Sequence, residues 1–133
     1  MAFFGLDGAF RISDLISGIN RDRFALPDGG QKAYYVFDHA GVRILVLDSN
    51  APLEAGTPQH DFALRELERA SSDAGLSALV VALHHGPFSS GRHGELEVMH
   101  TSGLLDAMRR ARVDLVFSGH DHIYERGQAD GLK

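Results

Sequence analysis

From residue 33 onward the apolar positions follow two rhythms. "KAYYVFD" (32–38) and "VRILVLD" (42–48) are short runs rich in aromatic and β-branched residues, which is the composition of strands. "HAG" between them reads as a tight turn, so residues 33–48 are predicted to form a hairpin. "SNAPLEAG" is a loop. At Thr57-Pro58 the rhythm changes: a threonine N-cap is followed by a residue suited to the first helical position. Ala63, Leu64, Leu67 and Ala70 then share one helical face, with Arg65, Glu66, Glu68 and Arg69 on the other. "DAG" ends this helix. "LSALVVAL" (76–83) is apolar almost throughout, as a strand buried on both faces would be. A second helix is predicted over residues 101–111, with Leu104, Leu105, Met108 and Ala111 inward, and "VDLVFSG" (113–119) follows as a fourth strand. Residues 1–32 are less regular. "FRISDLISGI" could form a short helix, but Gly5, Gly8, Gly18, Gly29 and Gly30 punctuate the segment, which reads as an irregular lead-in. The order strand, strand, helix, strand, helix, strand indicates an α/β fold with some parallel pairing.

Composition narrows the chemistry. The 133 residues suffice for one domain with its own core. A net charge of −5 and the lack of any basic run argue against a nucleic-acid surface. No apolar run is long enough to cross a membrane. There is no cysteine, so thiolate metal sites and disulfides are excluded. A metal would have to be held by His, Asp, Glu or Asn, ligands that suit zinc, iron or manganese. The chain carries eight histidines; His39, His60 and His100 are read as surface or capping residues.

The others cluster after the apolar strands. "ALVVAL" runs into His84-His85-Gly86-Pro87, and "DLVFSG" runs into His120-Asp121-His122. Ligand sites in open α/β sheets form beyond the carboxyl ends of strands, so the two groups are expected to meet. In an extended segment, residues two apart point the same way. On that argument His120 and His122 face one cavity and Asp121 points away.

The stretches "LHHGPFSSGRHG" (83–94) and "VDLVFSGHDHIYERG" (113–127) resemble the calcineurin-like metallophosphoesterases, and within them the purple acid phosphatase branch. "YYVFDHAGVRILVLDSN" (34–50) and "GTPQHDFALREL" (56–67) are similar to the stretch that precedes those motifs. The resemblance implies the C-terminal half of a four-layer α/β/β/α sandwich. It implies His84 and His120 as ligands of one metal, His122 as a ligand of a second, and His93 as the catalytic residue that contacts the phosphate or protonates the leaving group. His85 would be an outer neighbour, although His84 and His85 remain alternatives for the ligand position. Tyr124 and Arg126 would buttress the loop. The implied reaction is phosphoester hydrolysis, with a hydroxide shared by two metal ions (Fe, Zn or Mn) attacking phosphorus in line.

Two such ions bring at least four positive charges, and three imidazoles bring none. The family supplies carboxylates from earlier motifs, of the forms Asp-x-His, Gly-Asp-x-x and Gly-Asn-His-Glu, and none of these occurs here. Residues 1–133 are therefore expected to be the C-terminal part of a single metallophosphoesterase domain, inactive alone and prone to self-association through an uncovered sheet face. The alternative is a stand-alone, non-catalytic module with at most weak binding of one metal.

Overall fold

The computed structural model describes residues 33–128. The lead-in segment 1–32, with its expected helix, lies outside them. Four strands form one sheet: β1 (Tyr35–His39), β2 (Val42–Val46), β3 (Ala78–Ala82) and β4 (Leu115–Phe117). Their spatial order is β1-β2-β3-β4. β1 and β2 are antiparallel, while β2–β3 and β3–β4 are parallel. Between them lie α1 (Pro58–Ser71), α2 (Glu97–Thr101) and α3 (Leu104–Arg110).

The hairpin forms because its turn accepts two left-handed residues. Ala40 has φ 49° and Gly41 φ 80°, the pattern of a type I′ turn that matches strand twist. α1 starts where expected. The Thr57 side chain accepts a hydrogen bond from the His60 amide at 3.4 Å and donates to the Glu54 carbonyl at 2.9 Å, with Pro58 leading the first turn. The second helix is shorter than the predicted 101–111. Gly103, at φ 83°, breaks the chain direction, so α2 ends at Thr101 and α3 begins at Leu104. Leu104, Leu105 and Met108 are buried as expected, and Ala111 caps the helix.

The core lies between one sheet face and the helices. Leu45 and Leu47 follow one another on that face beside Leu79, Val81 and Leu83. Ala63 and Leu67 from α1, Met99 from α2, and Leu104 and Met108 from α3 close over them. The opposite face carries Phe37, Ile44, Val80, Ala82 and Phe117 in cross-strand register. Phe37 is 37% and Phe117 53% exposed. β3 is therefore apolar on both faces but fully buried on one, alternating half-buried and buried. Among the described residues, the helices cover the side on which Leu79 and Val81 sit.

Two α1 residues depart from the predicted polar and apolar faces. Glu66 is buried, because position 66 follows Ala63 by three and joins its stripe; its carboxylate accepts from Arg69 at 3.1 Å. His60, read as a surface or capping residue, is buried rather than at the surface, with its Nε2 3.0 Å from the carbonyl of Ser102, the residue that caps the C-terminus of α2.

Candidate functional site

Parallel pairing brings the histidines together. Beyond the strand ends the ladder continues: Leu83 donates to the Phe117 carbonyl at 3.0 Å, and Gly119 to the His84 carbonyl at 2.9 Å. These bonds fix His84 beside the turn that carries His120. His84 Nε2 and His120 Nδ1 are 3.1 Å apart. The His85 ring lies 4.2 Å from that of His120, and the His93 ring 4.5 Å from it, centre to centre. An open cavity of about 400 Å³ is lined by His84, Arg92, His93, His120, Asp121 and His122.

Four predicted site residues thus share one cavity: His84, His93, His120 and His122. They do not share one cluster. The ring nitrogens that come within 4.8 Å of each other belong to His84, His85 and His120. His122 is exposed on the cavity wall.

The alternation argument for residues 120–122 fails at the backbone. His120 has φ 73°, so the segment is a bend rather than a strand. Asp121, expected to point away, is turned inward and buried. Its carboxylate accepts from the Ser89 hydroxyl at 2.8 Å and from the His93 amide at 3.0 Å. These bonds, the Ser89 hydroxyl first, hold the Asp121 carboxyl below the usual carboxylate range. Glu125 adds a second grip on the same loop, accepting from the Ser90 amide at 3.0 Å. Two carboxylates of the 119–127 segment therefore position the loop that carries Arg92 and His93.

His85 is anchored from the other side. Its amide donates to the Ser49 hydroxyl at 2.9 Å, and the same oxygen lies 2.8 Å from Nδ1. Ser49 sits at the end of β2, where Gln59 of α1 pins the chain. The Gln59 Oε1 accepts from the Asp48 amide at 2.7 Å, and its Nε2 donates to the Asp48 carbonyl at 3.0 Å. Burial, and then the neighbouring His120, push the His85 imidazole below its ordinary pKa, which favours the neutral ring that a metal requires. The sequence also places Asp48-Ser49-Asn50 after the apolar run "RILVL", the strand-end position that points to the site, but gives Ser49 no role; Gln59 and Arg92 it passes over, although Arg92 directly precedes His93. His100, read as surface or capping, is exposed overall, with its Nε2 2.6 Å from the Pro87 carbonyl.

Among the described residues no carboxylate joins the three-histidine cluster. The cavity wall carries the Arg92 guanidinium, the Asp121 carboxylate and four imidazoles. The imidazoles can hold a borderline transition metal, and the guanidinium can pair with an anion.

Comparison with known proteins gives the family. The chain is 39% identical over 98 residues to purple acid phosphatase 21 of Arabidopsis thaliana, a match covering 70% of this chain and 21% of that protein. It is 32% identical over 97 residues to a phosphoenolpyruvate phosphatase of Allium cepa, covering 70% and 19%. The chain thus spans about a fifth of the length of these relatives. The fold is similar to that of a purple acid phosphatase from yellow lupin seeds, with a TM-score of 0.63 and 24% identity over 75% of this chain and 19% of that one. It is also similar to that of GAP50, described as the anchor in the inner membrane complex of Plasmodium, with a TM-score of 0.56 and 21% identity over 74% and 34%. The profile of the calcineurin-like phosphoesterases matches residues 4–124, and with so little of the sequence left outside that match, the chain belongs to the calcineurin-like phosphoesterase family.

Proposed function

We propose that this chain carries the histidine side of a metal-dependent phosphoester hydrolase of the acid phosphatase type. The observation that supports it most is the convergence of His84 and His120 to 3.1 Å at the ends of parallel strands. Two nitrogens bound to one tetrahedral zinc ion lie about 3.3 Å apart, given metal–nitrogen distances of about 2.0–2.1 Å. The donor set therefore fits one ion, with His122 on the cavity wall available to a second. The metals would contribute Lewis acidity toward the phosphoryl oxygens and an activated water for in-line attack.

The chain's own residues do the rest. His93 and Arg92 present N–H donors to the phosphate, and His93 delivers a proton to the leaving oxygen. Asp121 and Glu125 fix the loop bearing both, so the donors need not reorganise as charge develops. Neutral imidazoles leave the metals' charge unbalanced. The balancing carboxylates are proposed to come from a segment of the Asp-x-His, Gly-Asp-x-x and Gly-Asn-His-Glu type, supplied in addition to residues 1–133.

The test is hydrolysis of p-nitrophenyl phosphate in Zn²⁺, Mn²⁺ or Fe³⁺/Fe²⁺, by the chain alone and with that segment supplied from a relative. Turnover is expected near background alone, to rise with the segment, and to vanish on His120→Ala. No turnover in the reconstituted protein would sink the hydrolase reading. A second reading, a non-catalytic module, draws on the lack of a clustered carboxylate among the described residues; robust metal-independent folding with no response to the segment would favour it.

A further inference from the structure

We propose that His100 is a positioning residue that latches the 86–96 loop at its base, and so holds Arg92 and His93 in place on the cavity wall. The loop closes on itself. The Leu96 amide donates to the Gly86 carbonyl at 2.9 Å, which gives the segment the adjacent ends of a compact Ω-loop. One hydrogen bond is worth little against the opening of a surface loop, so a rigid base needs a second tie.

His100 supplies it from α2. Helical side chains lean toward the N-terminus and cover the turn before their own Cα. His100 therefore reaches back over Leu96, four residues earlier, toward the loop. Its Nε2 lies 2.6 Å from the Pro87 carbonyl and 3.1 Å from a Glu95 carboxylate oxygen. Pro87 stands near the start of the loop and Glu95 near its end, so one ring nitrogen meets both. The ring also packs edge to face against Phe88, with centres 5.3 Å apart. The neighbouring Met99 is fully buried in the core, which makes α2 a firm support.

Two oxygens face the same nitrogen. A bare lone pair there would repel both, so Nε2 carries the proton. The two contacts are not equal. Pro87 is buried, and a buried carbonyl left without a donor is costly. The Glu95 side chain is half exposed, and a pair of that kind contributes little. The bond to Pro87 is therefore the latch. Asp121 and Glu125 grip the same loop further along, at Ser89, Ser90 and the His93 amide. His100 is not on the cavity wall, so it acts through the loop alone. Its effect on turnover rests on the hydrolase reading; its hold on the loop does not.

The experiment compares two variants. His100→Phe keeps a ring against Phe88 but donates nothing, and His100→Gln keeps an N–H of similar reach. In the full chain, ring ¹⁵N spectra of the unmodified protein should show His100 protonated at Nε2, a readout that needs no variant to fold. Hydrogen exchange at the Leu96 and His93 amides should quicken about 2- to 10-fold in His100→Phe, the loss of about one hydrogen bond, and stay near the parent in His100→Gln. The Val81 amide, in β3, should exchange as in the parent in both. In the protein reconstituted with the supplied segment, kcat for p-nitrophenyl phosphate should fall about 10- to 100-fold in His100→Phe, with a smaller change in KM, and His100→Gln should recover most of it. A bare Nε2 in the parent, or parent-like His93 exchange in His100→Phe, overturns the latch. So does full turnover by His100→Phe, or a Val81 amide that quickens together with the loop, the mark of general destabilisation. A reconstituted parent without turnover sinks the hydrolase reading instead, and the latch is then decided by the ring spectra and exchange rates of the chain alone.

Discussion

Replacing Gln59 should destabilise the protein more than its single amide suggests. Gln59 is 2% exposed and stands on α1. Its amide satisfies both backbone groups of Asp48, at 2.7 and 3.0 Å. Gln59→Ala leaves a donor and an acceptor at the end of β2 without partners. Each unsatisfied buried group costs about 1–3 kcal/mol. Asp48 is half-buried, and the space vacated by the side chain admits water, so the loss belongs near the low end, about 2–3 kcal/mol in total. Gln59→Leu separates this mechanism from a hydrophobic one. Leucine restores most of the volume but excludes water from Asp48, so it should be no more stable than alanine. Urea unfolding measures both. With a slope of about 2 kcal/mol per molar urea, the midpoint should fall by about 1 M or more. A midpoint within about 0.2 M of the parent for Gln59→Ala, or a leucine variant clearly more stable than alanine, would refute the hydrogen-bond accounting.

Other perturbations follow from the same contacts. A Cβ on Gly91 would lie 2.3 Å from the Asp121 carboxyl carbon and 2.6 Å from its Cβ, so Gly91→Ala should loosen the 89–93 loop; faster hydrogen exchange at the His93 amide measures it, and in an Asp121→Gly background, which removes both atoms, the Gly91→Ala difference should vanish. Asp38 is held below the usual carboxylate range, chiefly by its hydrogen bond from Arg43. A depressed folded pKa adds stability above the unfolded value of about 3.9 that disappears as pH falls through the folded one. Asp38→Asn should therefore be less stable at pH 6 by about 0.2–1 kcal/mol, given the exposure of the pair, and the gap should narrow as pH falls through the acid range; chemical unfolding at a series of pH values reads it. Phe117→Lys, on the sheet face away from the described helices, should reduce any self-association seen in sedimentation velocity, with little change in the unfolding midpoint, because Phe117 is half exposed.

Much of the fold could be read ahead because its signals are local. Thr57-Pro58 starts a helix through groups within one turn, and His39-Ala40-Gly41-Val42 closes a hairpin through its own backbone. The convergence of His84 with His120 was also legible, since parallel strands place their carboxyl ends along one edge. Misreadings arose where a distant or unusual feature decided the outcome. The inward turn of Asp121 depends on one left-handed residue, His120, which no periodicity reports. Ser49 and Gln59 act through partners 36 and 11 residues away. His60 is buried because the corner at Ser102 comes to lie against it. Glu66 sits on the boundary of the apolar stripe, where spacing alone permits either side.

The left-handed backbone of His120 has a consequence for how this position tolerates change. At an ordinary position glycine is about 0.5–1 kcal/mol worse than alanine. At φ 73° the order inverts, because a Cβ there crowds the following carbonyl by about 1–2 kcal/mol. His120→Gly should therefore outlast His120→Ala on heating, although both lose the imidazole. Selection for robustness alone would put glycine at this corner. A histidine there keeps an imidazole at the corner at some expense in heat tolerance, where glycine would give the most restful backbone.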